Sequence, residues 1–380
     1  MREEIRGITR STGLPHLFIT INPADYHNPI PQFLAGRDID LDKFYHKLDT
    51  KSEAFTHIQT VAQNPIASAE AFKKLIDGFI DIIAGFKRPD KIGVFGEVDS
   101  YYGVVEAQDH GSLHCHFFFW LKGGLSPQTV KEQALADPEW KRKLFKWLDD
   151  IVCQDFPADT TANRPDFTDP DRKLPAMSRP PDPNDYAFEE TWQQDLRNLL
   201  EITGQVHTHS STCFKHLPEY IKGLRNEDKD CCFNLPREFV KETYLDDDGH
   251  IHLKCSNGYI NGYNDICVTC LCCNMDIKYM GSGTAAMAMV QYVTNYIAKL
   301  SLDSSTVFTA LCGAIKAVCE YPPIDPITEQ IDNNEQSHLL LLKTCNSMIG
   351  KRELSGQQVA SFLLNIPNRF TNHKFDKMWW

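Results

Sequence analysis

The sequence predicts an α+β fold built on a central antiparallel sheet. Three observations carry that expectation. A short β-rich run, Leu17 to Pro23, is closed by an Asn-Pro turn signal. A stretch with helical period follows it. Several strand-like runs then come in succession, an order that suits an antiparallel sheet flanked by helices rather than alternating βα units.

Gly13-Leu14-Pro15 leads into the first strand. Asn64-Pro65 opens the helical stretch Ala67 to Phe86, where Phe72, Leu75, Ile76, Phe79, Ile80 and Ile83 recur at 3–4 residue spacing. Ile92 to Glu97 and Tyr101 to Glu106 read as strands, and Gly111 to Trp120 as a third. Seven prolines and many aspartates between 157 and 183 read as an excursion or linker, not a core element. Residues 207–232 are rich in His and Cys. Asp246-Asp247-Asp248-Gly249 reads as a turn between short β-like runs. Ala285 to Lys299 is helical by pattern, and the tail from Gln336 to Trp380 reads as mixed and mostly helical.

With 380 residues the chain can bury a sizeable core in one large or a few modest domains. No apolar run approaches the roughly 18–20 residues of a membrane span. The charged start, Met1-Arg2-Glu3-Glu4-Ile5-Arg6, lacks an apolar signal core, so an intracellular, reducing compartment is expected. Thirteen irregularly spaced cysteines then read as thiols or metal ligands rather than a disulfide framework. A net charge of -12 weighs against a nucleic-acid partner, itself a polyanion. The charge is uneven: residues 151–200 hold ten acids and five bases, residues 331–380 six bases and four acids.

His114-Cys115-His116 carries the clearest chemistry. Side chains of a strand alternate faces, so the two imidazoles share one face and form a pair of metal ligands. A hard ion such as Mg²⁺ or Mn²⁺ also wants oxygen. Glu106 ends the preceding strand, and a hairpin through Gln108-Asp109-His110-Gly111 brings it beside the histidines; Gln108 and Glu97 compete for that place. Taken alone, the histidines read more readily as ordinary residues of a half-buried strand; the preceding carboxylate and the distant tyrosine pair favour the metal reading. Further on, Tyr292 and Tyr296 lie at i and i+4, on one face of the helix. A tyrosine pair at this spacing more often packs aromatics into a core, but Val290, Val293, Ile297 and Leu300 supply a separate apolar stripe, so the phenols are not needed for amphipathicity. Lys299 lies three residues beyond Tyr296, placed to contact a phosphate or lower a phenol pKa from about 10.

His207, His209, Cys213, His216 and Cys231-Cys232 have the ligand types for zinc, without a simple CxxC…CxxC pattern. Cys267, Cys270, Cys272 and Cys273 form a second group that reads better as buried thiols. No Gly-x-x-x-x-Gly-Lys-[Ser/Thr] run occurs, which excludes a P-loop ATPase in this sequence.

At these residues the chain resembles the Helitron helicase-like domain family, the replication-initiator (Rep) part of eukaryotic rolling-circle transposases, in the HUH endonuclease superfamily. Gly13 to Asp25 is similar to the family's first motif. Glu106 with Gly111 to His116 is similar to its metal motif. His207-x-His209, Cys213-Phe214-Lys215 and Cys231 to Arg237 resemble its zinc-knuckle-like insertion. Cys273 to Ile277, Gly281-Ser282-Gly283 and Tyr292-x-x-x-Tyr296-Ile297-x-Lys299 resemble its two-tyrosine motif. Two features depart from the family: Cys115 stands where a larger apolar residue is usual, and the sequence stops at Trp380 without the helicase domain that usually follows in the same polypeptide.

The resemblance implies an HUH-type core, with residues 1–155 and 241–310 forming its two parts. Residues 156–200 would be the Pro/Asp-rich excursion, 201–240 the Cys/His insertion and 311–380 a C-terminal helical extension. It implies a divalent metal held by Glu106, His114 and His116, attack by Tyr292 or Tyr296 on single-stranded DNA at transposon ends, and a 5′-phosphotyrosyl intermediate. Lys299 would stabilise charge, Thr20 and Asn22 would position the site, and His207, His209, Cys213 and Cys231 would hold structural zinc. Action in the nucleus, away from membranes, is expected. The competing expectation is a domesticated or decayed fragment that binds DNA or a protein without cleaving.

Overall fold

The computed structural model describes residues 1–25, 27–41, 44, 51–88, 92–108, 111–157, 179–209, 211–214, 217, 231–283, 286–297, 304–324, 330–350 and 354–376. The chain divides into two compact units: Met1–Ile297 with Gly356–Trp380, and Ala298–Ser355. In the second unit the helices Ser304–Glu320 and Asn333–Gly350 pack on each other.

The first unit is α+β. Its strands are β1 (Leu17–Pro23), β2 (Val98–Gln108), β3 (Ser112–Leu121), the two-residue β4 (Tyr244–Leu245) and β5 (Ile251–His252), β6 (Cys273–Tyr279) and β7 (Arg369–Thr371). Five of them form one sheet in the order β6-β1-β3-β2-β7, with every neighbouring pair antiparallel. β4 and β5 form the small hairpin around the Asp246–Gly249 turn.

β3 lies at the centre and is buried on both faces, which is why its sequence runs apolar without alternation. On one face Leu17, Ile19, Ile21, Cys115, Phe117 and Phe119 join the main core with the helix Pro65–Gly78. Cys115 is wholly buried there, where a small apolar side chain fits. The expected helix Ala67–Phe86 ends early in a π-helical turn, Phe79–Ile83. That turn seats Phe79 against Phe117 and Phe119, with ring centroids 5.4 and 5.8 Å away. Gly103 lies opposite Phe117 on β2; a Cβ there would run into the ring, which explains a glycine inside a strand.

The second face has a different cover. Phe18, Phe118, Trp120, Tyr102 and Val104 pack beneath Ile5 and Ile8 of the N-terminal helix Arg2–Thr12 and Val290 and Val293 of the helix Ala286–Ile297. Glu4 pins the N-terminal helix to the sheet: it accepts a hydrogen bond from the Tyr102 hydroxyl and pairs with Arg369 on β7.

Three expectations need correction. Ile92–Glu97 is not a strand; it makes an isolated Gly93–Gly96 bridge, because glycines three apart, Gly96 at φ 98°, close a tight turn. The segment 156–200 is not wholly an excursion. The helix Phe188–Ile202 starts inside it and buries Leu196, Leu199 and Leu200 in the main core, since the proline run ends at Pro183 and helical period resumes. The tail is helical over Gly356–Leu363 but then supplies β7, whose Phe370 is buried in that core.

The outer edge of β6 is covered rather than left open. The fully buried Gln205 side chain accepts from Met275 N at 2.8 Å and donates to Met275 O at 2.7 Å, while Ile277 N donates to Gly262 O. Gln205 thus ties the start of the His/Cys-rich segment to the sheet.

Candidate metal centre and tyrosine helix

Register decides which carboxylate reaches the histidines. Antiparallel pairing places Glu106 directly opposite His114 and Val104 opposite His116. Glu106 Oε2 lies 3.3 Å from His114 Nε2 and 3.1 Å from His116 Nε2. Glu97, the competitor, is instead on the surface, paired with Lys122 at 2.7 Å. The Gln108 side chain lies outside the described residues.

The two histidines are buried and the carboxylate is half-exposed, so the cluster opens toward solvent on the Glu106 side. Burial pushes Glu106 up, but the two adjacent imidazoles outweigh burial and hold its carboxyl at about 2. Burial pushes His116 below the ordinary imidazole value; the hydrogen bond to Glu106 opposes this only in part. At neutral pH Glu106 is therefore ionised and His116 neutral, the states in which each donates a lone pair to a cation. Neither ring nitrogen of His114 has a hydrogen-bond partner among the described residues, although both are buried. Such groups usually cost about 1–3 kcal/mol each. A cation beside Nε2 would satisfy one of them. The donor set of two imidazoles and a carboxylate fits a divalent metal, and the three ligand atoms lie within 4.8 Å of one another.

A polar row supports the centre from β1 and β6. Thr20 sits opposite His116 on one side and Asp276 on the other. Its hydroxyl is 2.9 Å from His116 Nδ1, leaving Nε2 for the centre. Phe18 stacks on the His116 ring at 5.8 Å. Asn22 lies one row on, opposite Asn274. Asp276 was not singled out by its sequence. Its negative charge acts on His116, and it approaches Arg237 at 3.9 Å and Lys278 at 3.1 Å. The signal that could have found it is the alternation of Asn274, Asp276 and Lys278 along β6.

The tyrosine helix covers the same sheet face through Val290 and Val293. Tyr292 points outward and is 72% exposed, so its ring is not part of the packing. Tyr296 lies on the same helix, with its side chain outside the described residues, as is all of Lys299.

Residues 1–119 match the Helitron helicase-like domain at N-terminus. The similarity covers β1, β2, most of β3 and all three residues of the cluster. The tyrosine helix and the His/Cys-rich segment lie beyond the matched Helitron residues. No curated protein matches the chain.

A second group that could hold a metal lies at that segment. His207, His209, Cys213 and Cys231 bring four ligand atoms within 4.8 Å of one another. His207 Nε2 is 3.2 Å from His209 Nδ1 and 3.4 Å from each of the two sulfurs. The backbone brings them together: His207 N donates to Tyr259 O, and Cys232 N to Cys213 O. Cys213, Phe214, Cys231 and Leu235 form a small core of their own. His216 lies outside the described residues. The second cysteine group converges on no metal-like cluster among the described residues. Burial pushes the Cys272 thiol up to about 12 and Cys267 well up, so these behave as inert packing groups. No described helix is long and apolar enough to cross a membrane.

Proposed function

We propose that this chain is the Rep-type, HUH-class endonuclease part of a Helitron-like transposase, acting on single-stranded DNA in the nucleus. One observation carries the reading. Glu106, His114 and His116 converge on the sheet face that is also covered by the helix bearing Tyr292 and Tyr296.

Bound Mg²⁺ or Mn²⁺ would supply Lewis-acid polarisation of the scissile phosphate. The chain's own residues do the rest. Glu106, His114 and His116 would hold the cation; with Nε2 of His116 turned to it, Nδ1 would carry the proton and donate a hydrogen bond to Thr20 Oγ1. The phenol oxygen of Tyr292 or Tyr296 attacks phosphorus and loses its proton. The P–O3′ bond breaks, and the departing oxygen takes up a proton as a free 3′-OH. The product is a 5′-phosphotyrosyl link that a later 3′-OH can reverse, joining strands. A second tyrosine allows a second cut before the first link is resolved. The outward position of Tyr292 leaves its oxygen accessible to a strand arriving from solvent. Lys299, near the end of that helix, is the proposed charge stabiliser.

The His207/His209/Cys213/Cys231 group is proposed as structural zinc. Ordinary tetrahedral Zn–N and Zn–S bonds space ligand atoms about 3.3–3.8 Å apart, close to the separations around His207.

The test is incubation with labelled single-stranded oligonucleotides and Mn²⁺, followed by denaturing gels. A metal-dependent covalent protein–DNA adduct is expected. Cleavage without an adduct would make water the nucleophile, and binding without cleavage would make the chain a DNA-binding remnant.

A further inference from the structure

A groove lies between the N-terminal helix and the tyrosine helix. It encloses about 230 Å³. Ile5, Met287 and Val290 form its apolar wall, Arg6 and Arg10 line one rim, and Asn295 the other. Its floor is continuous with the candidate centre: Ile5 and Val290 pack in one cluster with Phe18, the ring stacked on His116.

The charge of this rim stands apart from the chain's. The sequence carries -12 overall, yet Arg2, Arg6 and Arg10 repeat every four residues, which places them along one side of the helix. Of the two acids on that helix, Glu4 turns away to Tyr102 and Arg369. Glu3 pairs with Arg6 at 2.6 Å, both exposed, a contact that contributes little in water and is readily exchanged. Arg2 approaches the Asn295 carbonyl at 3.5 Å, at the tyrosine-helix side. An apolar slot beneath a line of guanidinium groups has the chemistry for a polyanion with flat apolar faces: bases lie against the wall while phosphates meet the arginines.

We propose that this groove is the binding track for single-stranded DNA flanking the cleaved phosphate, with Arg6 and Arg10 contacting backbone phosphates and Ile5, Met287 and Val290 receiving a base. The inference rests on the nuclease reading and adds where the strand runs. It makes the N-terminal helix part of the substrate site rather than only a lid on the sheet.

The experiment measures fluorescence anisotropy of a labelled oligonucleotide with the full chain, across a salt series, with Mn²⁺ cleavage and Mn²⁺ binding followed in parallel. Arg6→Ala/Arg10→Ala removes two phosphate contacts. The slope of log K against log salt should become shallower by about 1.4, and affinity at 0.1 M salt should fall about 10–30-fold. Mn²⁺ affinity should stay at the wild-type value. Arg6→Lys/Arg10→Lys should restore most of the binding. Met287→Glu, at an exposed position of the wall, should also weaken binding without unfolding the protein. Wild-type binding and salt slope in both the arginine and methionine variants, with cleavage intact, would overturn the groove and leave the nuclease reading standing. A wild-type chain that neither binds nor cuts single strands would overturn both, and capture of an apolar peptide by the groove in its place would mark a protein-docking surface.

Discussion

Thr20 and His116 face each other across β1 and β3, with the threonine hydroxyl 2.9 Å from His116 Nδ1. The hydroxyl fixes the ring so that Nε2 points to Glu106. Thr20→Val keeps the shape and the strand but removes the acceptor. Mn²⁺ affinity by calorimetry should fall roughly 10–100-fold, the usual cost of losing such support. Unfolding should be much less affected. An unchanged Mn²⁺ affinity would show that packing alone orients His116.

Glu106 and Glu97 separate by position. Glu106→Gln removes the charge within the cluster and should abolish Mn²⁺-dependent cleavage, as should His114→Ala or His116→Ala. Glu97→Ala breaks an exposed pair with Lys122 and should leave stability nearly unchanged, with cleavage retained. The reverse pattern in an oligonucleotide cleavage assay would move the oxygen ligand to Glu97.

For the tyrosines, phenylalanine keeps each ring and deletes the nucleophilic oxygen. Tyr292→Phe/Tyr296→Phe should fold, bind single-stranded DNA and form no covalent adduct on denaturing gels. One single variant should lose most first-strand cleavage and the other mainly strand transfer, with Tyr292 expected to act first. Wild-type cleavage by the double variant would replace tyrosine with water as nucleophile.

The His207/His209/Cys213/Cys231 group should hold about one zinc per chain by elemental analysis. Cys213→Ser should lose that zinc and lower the melting temperature, while Mn²⁺ binding at Glu106, His114 and His116 persists. Protein free of zinc with unchanged melting would return these four residues to ordinary packing.

Acid should weaken the fold through His27. Burial, with the nearby charge of His57, depresses its pKa from 6.5 to about 4. The unfolded chain therefore binds the proton more readily than the native one between those values. The contribution is fully present above about pH 6.5 and is lost as pH falls toward 4. The loss amounts to roughly 3 kcal/mol. Urea titrations at pH 7, 5.5 and 4 should show that decline, and His27→Gln should flatten it. An equal decline in the variant would assign the acid sensitivity to other groups.

The sequence made the local parts of the site legible. Strand alternation placed His114 and His116 on one face, and the hairpin placed Glu106 beside them, because both follow from period and turn length alone. The Cys213 and Cys231 pairing needed the resemblance, since the intervening residues give no spacing rule. Asp276 and Gln205 could not be singled out: each acts through a strand pairing or a buried hydrogen bond set by distant chain. β7 was hidden for the same reason, being three residues long and held by a partner far back in sequence. The outward turn of Tyr292 was legible in the separate apolar stripe of its helix, and only the element that stripe meets, the face of Phe18 and Phe118, needed the packed sheet.

The joining of Arg369 to Glu4 spans 365 residues. The helix that carries Arg6 and Arg10 is synthesised long before its anchoring partner on β7. Until then the outer edge of β2 has no neighbour at Tyr102 to Val104. A nascent chain must therefore carry an unfinished sheet edge until Arg369 to Thr371 have been made, and a fragment cut after Ile297 would keep that aggregation-prone edge permanently.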